Sequence, residues 1–142
     1  MGYTLNPKQH LVPILVDDGL NEEVFTINGD DYETPDGTCI RDYTHIFDVA
    51  SAHVSALNYL MDGGDSNIFN IGGGSGSSIK QVIAEVEKQL GKEINLEVGP
   101  KRDGDAERTD ANIVKAFEML GWEPQNTLEE IVADEIAYQS KK

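Results

Sequence analysis

The sequence predicts an α/β fold in which helices surround a small mixed sheet. Segments with apolar residues at helical spacing alternate with short runs rich in β-branched and aromatic residues, the pattern of mixed α/β domains. Two capping boxes, Ser78 to Gln81 and Thr127 to Glu130, mark the starts of two helices. The predicted strands are few and far apart along the chain, so we expect a small or incomplete sheet.

The first half of the chain is predicted to hold two helices. Residues 10–20 are apolar on one side and predicted helical, with Pro13 tolerated near the first turn. Residues 23–27 are predicted to form a short strand, and residues 39–45 an extended segment. Residues 46–61 have helical spacing and end at a pair of glycines.

The second half is predicted to hold two more strands and three helices. The strands are predicted at residues 67–71 and 94–98, the latter followed by a charged loop, 99–110. The helices are predicted from residue 79 to Gly91, over residues 112–120, and from the second capping box to the C-terminal region.

The length of 142 residues fits a single domain spanning residues 1–142. No apolar run reaches the roughly 18 residues that a membrane helix needs, and no signal peptide is visible at the N-terminus. The one cysteine, Cys39, has no partner for an internal disulfide. We therefore expect a cytoplasmic protein.

The chain is strongly acidic, with 26 acidic and 11 basic residues and a net charge of −15. This charge disfavours nucleic acids and anionic membranes as partners. A bound phosphate would need local cations, and only three arginines are present, Arg41, Arg102 and Arg108. Most of the acidity fits solubility or adaptation to salt.

Two of the arginines lie in segments that suit an anionic ligand. Arg41 and Tyr43 alternate along an extended segment and so share one face, but the same spacing fits a surface pair of Arg41 with Asp42 and a core position for Tyr43. Lys101, Arg102 and Asp105 lie in a loop bounded by glycines, which fits either a phosphate site with a hydroxyl acceptor or a solvated charged loop.

The glycine-rich stretch 72–76 precedes a predicted helix, the setting in which helix N-termini bind phosphate. It lacks the spacing of both the dinucleotide fingerprint and the P-loop, so a tight turn with a helix cap is the favoured interpretation. The histidines have no metal-ligand spacing with Cys39, and the serines lie in no nucleophile motif. We therefore predict no catalytic, cofactor or metal site from the spacing of these residues.

Taken in order, these segments resemble the C-terminal part of the UDP-glucose 4-epimerases, members of the extended short-chain dehydrogenase/reductase family. The specific pairing is Tyr-x-Thr-Pro-Asp-Gly-Thr…Arg-Asp-Tyr at 32–43 with Arg-x-Gly-Asp at 102–105. Further stretches contribute at Asn6-Pro7 and at 10–13, 29–31, 48–53, 69–72 and 120–131. The resemblance implies the C-terminal part of that fold without its dinucleotide-binding part.

The resemblance also implies a set of UDP-sugar-binding residues. Arg41 and Arg102 would pair with the diphosphate, Tyr43 would line the same cleft, and Asp105 would accept hydrogen bonds from the ribose. The remaining residues lie at the expected ends of the ligand: Leu11 beside the nucleotide, Thr26 and Asn28 framing the uracil through main-chain groups, and Thr109 in the sugar pocket.

The family reaction needs parts that these 142 residues do not contain. NAD is bound by an N-terminal Gly-x-x-Gly-x-x-Gly turn, and catalysis uses a Tyr-x-x-x-Lys pair on a helix outside the matching region. The only such spacing here, Tyr138 to Lys142, lies at the C-terminus and does not match that helix. The resemblance therefore implies no NAD site and no epimerase activity in this chain alone. It leaves two main alternatives, a truncated or separately encoded epimerase half with weak UDP affinity, or an interaction module without a ligand. A complete one-chain enzyme ranks last, since it would need catalysis without an NAD site.

The resemblance finally implies how the chain assembles. In the family, the strand matching 67–71 and the helix matching 46–61 pack onto the sheet of the N-terminal part. Without that cover, we expect a homodimer through these two elements, or binding to a separate N-terminal half.

Overall fold

The computed structural model describes residues 9–141, so the Asn6-Pro7 part of the resemblance lies outside the described residues. The helices are α1 Leu11–Asn21, α2 Ile46–Met61, α3 Ile79–Leu90, α4 Val114–Leu120 and α5 Leu128–Gln139. The strands are β1 Val24–Asn28, β2 Ile40–Arg41, β3 Ser77–Ser78, β4 Asn95–Gly99 and β5 Arg108–Thr109. The predicted α/β class is confirmed.

The strands form two small sheets. In the first, β1 pairs parallel with β4 from Val24 opposite Asn95 to Asn28 opposite Gly99. In the second, β2 is central, antiparallel to β3 and parallel to β5. The second sheet brings the middle of the chain, the start of α3 and the end of the charged loop together.

The larger core lies where α1, α3 and α5 pack on each other and on β1. Its buried members are Val12, Leu15, Val16, Phe25, Ile27, Val82, Ile83, Val86, Ile94 and Val132. The helices supply these residues at spacings of three and four, as the apolar stripes predicted. A smaller cluster of Ala52, Ala116 and Trp122 joins α2 to α4.

Both predicted capping boxes are present. The Ser78 hydroxyl accepts from the Gln81 N–H at 3.1 Å, and the Gln81 side chain accepts from the Ser78 N–H at 2.8 Å. Thr127 and Glu130 exchange the equivalent two hydrogen bonds at the start of α5. Each box satisfies main-chain donors that a helix start would otherwise leave exposed.

The predicted strand at 67–71 is wrong. These residues form no regular secondary structure, and no strand among the described residues pairs with them. The Lys115 ammonium instead bonds to the Asn67 side chain at 2.5 Å and to the Ile68 carbonyl at 2.8 Å. The residues have strand propensity, but a strand also needs a neighbouring strand for its main-chain hydrogen bonds.

α2 is a long helix with little cover in this structure. Of its 16 residues, only Asp48 and Ala52 are buried. Its exposed apolar residues are Ile46, Phe47, Val54, Leu57, Leu60 and Met61. A helix this apolar normally buries a wide stripe, so this face is suited to contact with another polypeptide.

Candidate functional site

Parallel pairing of β2 with β5 brings the two predicted ligand-binding segments together. Arg41 lies opposite Thr109, and the Ile40 N–H donates to the Glu107 carbonyl at 2.8 Å. The segment after β2 and the charged loop therefore lie side by side. This contact joins parts of the chain that are more than 60 residues apart, and the site is built around it.

Arg41 and Asp105 form an ion pair at this contact. Arg41 Nη2 lies 3.4 Å from Asp105 Oδ1, and Arg41 Nη1 donates to the Ile40 carbonyl at 2.9 Å. About a third of each side chain is exposed, 29% and 34%. The alternative pair of Arg41 with Asp42 is wrong, because Asp42 accepts main-chain hydrogen bonds from Gly73 and Ala111.

Tyr43 is mostly buried and packs against the larger core. Burial raises the pKa of its phenol to about 12, although the positive charge of Arg41 opposes this shift. The phenol is therefore neutral at physiological pH and can donate a hydrogen bond. Tyr43 thus packs against the core and also lies close enough to Arg41 to feel its charge. The predicted core position and the predicted place beside Arg41 are therefore compatible.

Two cavities flank the segment 41–44. One, of about 580 Å³, is lined by Leu11 and Tyr43 and reaches α5. The other, of about 560 Å³, is lined by Arg41 and Thr109 together with residues 69–71. Four of the predicted site residues therefore line these two cavities, two in each.

The charged loop lies in water along residues 101–110. Arg102 is exposed, and its carbonyl accepts from the Asp105 N–H at 3.3 Å. Lys101 turns away, with its ammonium 3.1 Å from Asp31 Oδ1 and 4.5 Å from the centre of the Tyr32 ring. The adjacent cations therefore separate, since Lys101 holds the start of the loop while Arg102 faces solvent.

The predicted uracil-framing residues lie at the end of β1. The Thr26 hydroxyl donates to Glu97 Oε1 at 2.6 Å, and Asn28 lies opposite Gly99, where the charged loop begins. The Gly29 N–H donates to the Gly99 carbonyl at 3.1 Å. The end of β1 is thus tied to the start of the loop that carries Arg102 and Asp105.

The glycine-rich stretch leads into the capping box at the start of α3. The main-chain donors of Ser78 and Gln81 at the start of α3 are taken by the capping box. Ser78 also donates its hydroxyl to the Asp36 carboxylate. The N–H groups of Ser78 and Gln81 are therefore both used within the fold. This agrees with the prediction of a tight turn followed by a helix cap.

Three carboxylates that accept main-chain hydrogen bonds were missed by the sequence interpretation. They are Asp36, Asp42 and Asp48. Asp36 Oδ1 accepts from the Thr38 N–H at 2.9 Å and from the Thr38 hydroxyl at 2.7 Å. The Asp-Gly-Thr spacing is a known turn pattern and would have found Asp36, but nothing local identifies the other two.

Among residues 9–141, no group of three or more His, Cys, Asp or Glu side chains is arranged to hold a metal ion. In the same part of the chain, no helix has the length and apolar character that a membrane crossing requires.

The chain matches the family model described as GDP-mannose 4,6 dehydratase over residues 8–135. It is 39% identical over 137 residues to a UDP-glucose 4-epimerase of Rhizobium meliloti (strain 1021), covering 96% of this chain and 42% of that protein. The chain thus spans about two fifths of the length of this curated relative.

Solved structures give the same result. A UDP-glucose 4-epimerase crystal structure superposes with a TM-score of 0.96 at 39% identity, covering 100% of this chain and 44% of the other. The epimerase of Bifidobacterium longum, solved with NAD+ and UDP, superposes with a TM-score of 0.86 at 34% identity, covering 94% and 40%. The resemblance noted from the sequence is confirmed.

Proposed function

The chain belongs to the family described as GDP-mannose 4,6 dehydratase, and from its similarity to UDP-glucose 4-epimerases within that family we propose that it binds the UDP part of a UDP-sugar. The observation that carries the proposal is the meeting of Arg41 with Asp105 beside Thr109. A cation, a hydroxyl acceptor and a small residue then lie along one path, as a nucleoside diphosphate joined to a sugar requires.

The diphosphate is assigned to Arg41 and Arg102. Arginine presents a planar fork of donors that matches phosphate oxygens, which suits a diphosphate better than a point charge does. Asp105 accepts from the ribose hydroxyls, and the neutral phenol of Tyr43 lines the cleft. At the base end, Leu11 packs beside the nucleotide while Thr26 and Asn28 frame the uracil.

The expected affinity is weak. A net charge of −15 repels a diphosphate at long range, and Arg41 must share its guanidinium with Asp105. The segment 100–110 is exposed, so ordering it around a ligand costs conformational entropy. Two arginine forks offset these costs only in part.

The chain alone is proposed to be inactive as an epimerase. The 142 residues contain neither the Gly-x-x-Gly-x-x-Gly turn nor an internal Tyr-x-x-x-Lys pair, on which NAD binding and proton transfer depend in the resembling family. Purified protein with added NAD should leave UDP-galactose unchanged. Formation of UDP-glucose in that assay would contradict this part of the proposal.

Calorimetry separates UDP binding from the alternative of an interaction module without a ligand. UDP is titrated in low salt, with uridine and inorganic pyrophosphate as the two halves of the ligand. Binding of UDP that exceeds both, and that weakens with added salt, supports the proposed site. If millimolar UDP produces neither saturable heat in calorimetry nor a change in amide chemical shifts in NMR spectra, the interaction module without a ligand is favoured.

We further propose that the exposed face of α2 is an assembly surface, occupied by a second copy of the chain. Leu57 and Val54 are 57% and 58% exposed, and burying such side chains contributes roughly 1.5–3 kcal/mol each. The segment 67–71 contributes the exposed side chain of Ile68 instead of a strand edge. A monomer in sedimentation at high concentration would overturn the proposal that a second copy occupies this face.

A further inference from the structure

We propose that Asp42 is a positioning residue that fixes residues 100–110, here called the site loop, against the segment that carries Arg41 and Tyr43. The proposal rests on the UDP-binding function above. Asp42 is not assigned to the ligand, because both of its carboxylate oxygens accept main-chain hydrogen bonds. It acts on the loop that carries Arg102 and Asp105.

The Asp42 carboxylate joins three parts of the chain. Its Oδ1 accepts from the Gly73 N–H at 2.6 Å, and its Oδ2 accepts from the Ala111 N–H at 3.0 Å. Gly73 lies in the glycine-rich stretch, and Ala111 follows directly after the site loop. Hydrogen bonds to an ionised acceptor are short and about twice as strong as neutral ones.

Asp42 lines the 560 Å³ cavity together with Arg41 and Thr109. Both of its carboxylate oxygens are nevertheless used within the fold, by the Gly73 and Ala111 N–H groups. One extended segment therefore carries both the cation assigned to the ligand and the anchor of the loop beside it.

The glycines at 72 and 73 allow the close approach of the main chain to Asp42. A Cβ atom on Gly72 would overlap the Asp42 carboxylate, and one on Gly73 would overlap the Tyr43 carbonyl oxygen. The two glycines let the chain pass close enough for the hydrogen bond to form. The stretch is thus explained as a docking surface for Asp42, without a phosphate.

The site loop has few other anchors at its end. All ten residues from 101 to 110 are exposed, so little apolar packing holds them. The start is held by Lys101 on Asp31, and the end by the two-residue pairing of β5 with β2 and by the Ala111 to Asp42 bond. Loss of that bond should let Asp105 and Arg102 move relative to Arg41.

The test compares Asp42→Asn with Asp48→Asn. Asp48 is a matched control because its two oxygens also accept main-chain N–H groups, those of Gln125 and Asn126 at 3.0 and 3.1 Å, at the start of α5. Asp42→Asn should speed amide exchange at Ala111 and through the site loop and weaken UDP binding by about tenfold. Asp48→Asn should lower thermal stability but leave both of these quantities unchanged.

The exchange measurement decides the proposal without a ligand. Rapid exchange of the Ala111 and Gly73 amides in the unmutated chain would overturn it, even if no variant folds. Unchanged loop exchange in a folded Asp42→Asn, or an equal loss of UDP affinity in Asp48→Asn, would overturn it as well. If the unmutated chain binds no UDP, the proposed function fails while the loop measurement still tests Asp42.

Discussion

Arg41 and Asp105, 64 residues apart in the chain, form an ion pair with 3.4 Å between Nη2 and Oδ1. The pair lies beside the contact of β2 with β5, on the exposed side of the fold. The contact therefore reports how the fold brings a cation and a hydroxyl acceptor to one place.

Replacing Arg41 should weaken UDP binding much more than replacing Arg108. Both substitutions to alanine remove one positive charge, but Arg108 pairs with Asp110 at 2.5 Å and is not assigned to the ligand. A charged hydrogen bond contributes about 1.5–3 kcal/mol, so Arg41→Ala should lower affinity roughly tenfold to a hundredfold. Calorimetry with UDP measures both. Equal losses would show that only overall charge matters.

Tyr43 should make stability depend on alkaline pH. Its folded pKa is raised from 10.0 to about 12 by burial, so its contribution to stability is complete below pH 10 and is lost as the pH rises towards 12. Urea unfolding across this range should show a steeper fall in the free energy of unfolding for the unmutated chain than for Tyr43→Phe. Parallel pH profiles would contradict the assignment.

Local patterns predicted the helices well. Apolar spacing placed α2 at residues 46–61, and the Ser78 capping box placed the start of α3 at Ile79, both as observed. These features depend on residues within one or two turns of each other, so a sequence pattern contains them. The strands predicted at 23–27 and 94–98 are observed one residue later, at 24–28 and 95–99.

Contacts between distant parts of the chain were not predictable. β2, β3 and β5 have two residues each, and they exist because Ile40 pairs with Ser78 and with Arg108. No periodicity marks so short a strand. Arg41 likewise had an adjacent carboxylate in sequence, Asp42, yet the fold gives Asp42 to main-chain donors and Arg41 to Asp105.

Asp36 should make stability depend on acid pH. Burial raises the pKa of this carboxyl, but hydrogen bonds from Ser78 and Thr38 outweigh burial and hold it below its ordinary 3.8. The contribution is therefore present above pH 3.8 and is lost as the pH falls through the lowered value. Asp36→Asn should be less stable at neutral pH, with the difference shrinking in acid. A constant difference in unfolding experiments would contradict this.

Leu57→Lys should prevent self-association through α2. The substitution places a charge in the exposed apolar face, which a second copy would have to bury without a partner. Asn58→Lys is the matched control, since it adds the same charge at the next residue of the helix, on a side chain that is already polar. Sedimentation should show a dimer for the unmutated chain and for the control, and a monomer for Leu57→Lys. A dimer in all three would place the interface elsewhere.

Thr109 should admit an N-acetylated sugar. It lies opposite Arg41 in the sheet and lines the 560 Å³ cavity with Asn70 and neighbouring residues. A threonine at this position leaves room for an acetamido group, which a tyrosine side chain would fill. We expect UDP-N-acetylglucosamine to bind about as tightly as UDP-glucose.

Thr109→Tyr should weaken only the N-acetylated ligand, by roughly tenfold, because overpacking costs about 1–3 kcal/mol. Thr109→Ser keeps a small side chain and should bind both. Discrimination by the unmutated chain against the N-acetylated ligand, or an equal loss for both ligands in Thr109→Tyr, would remove Thr109 from the sugar pocket.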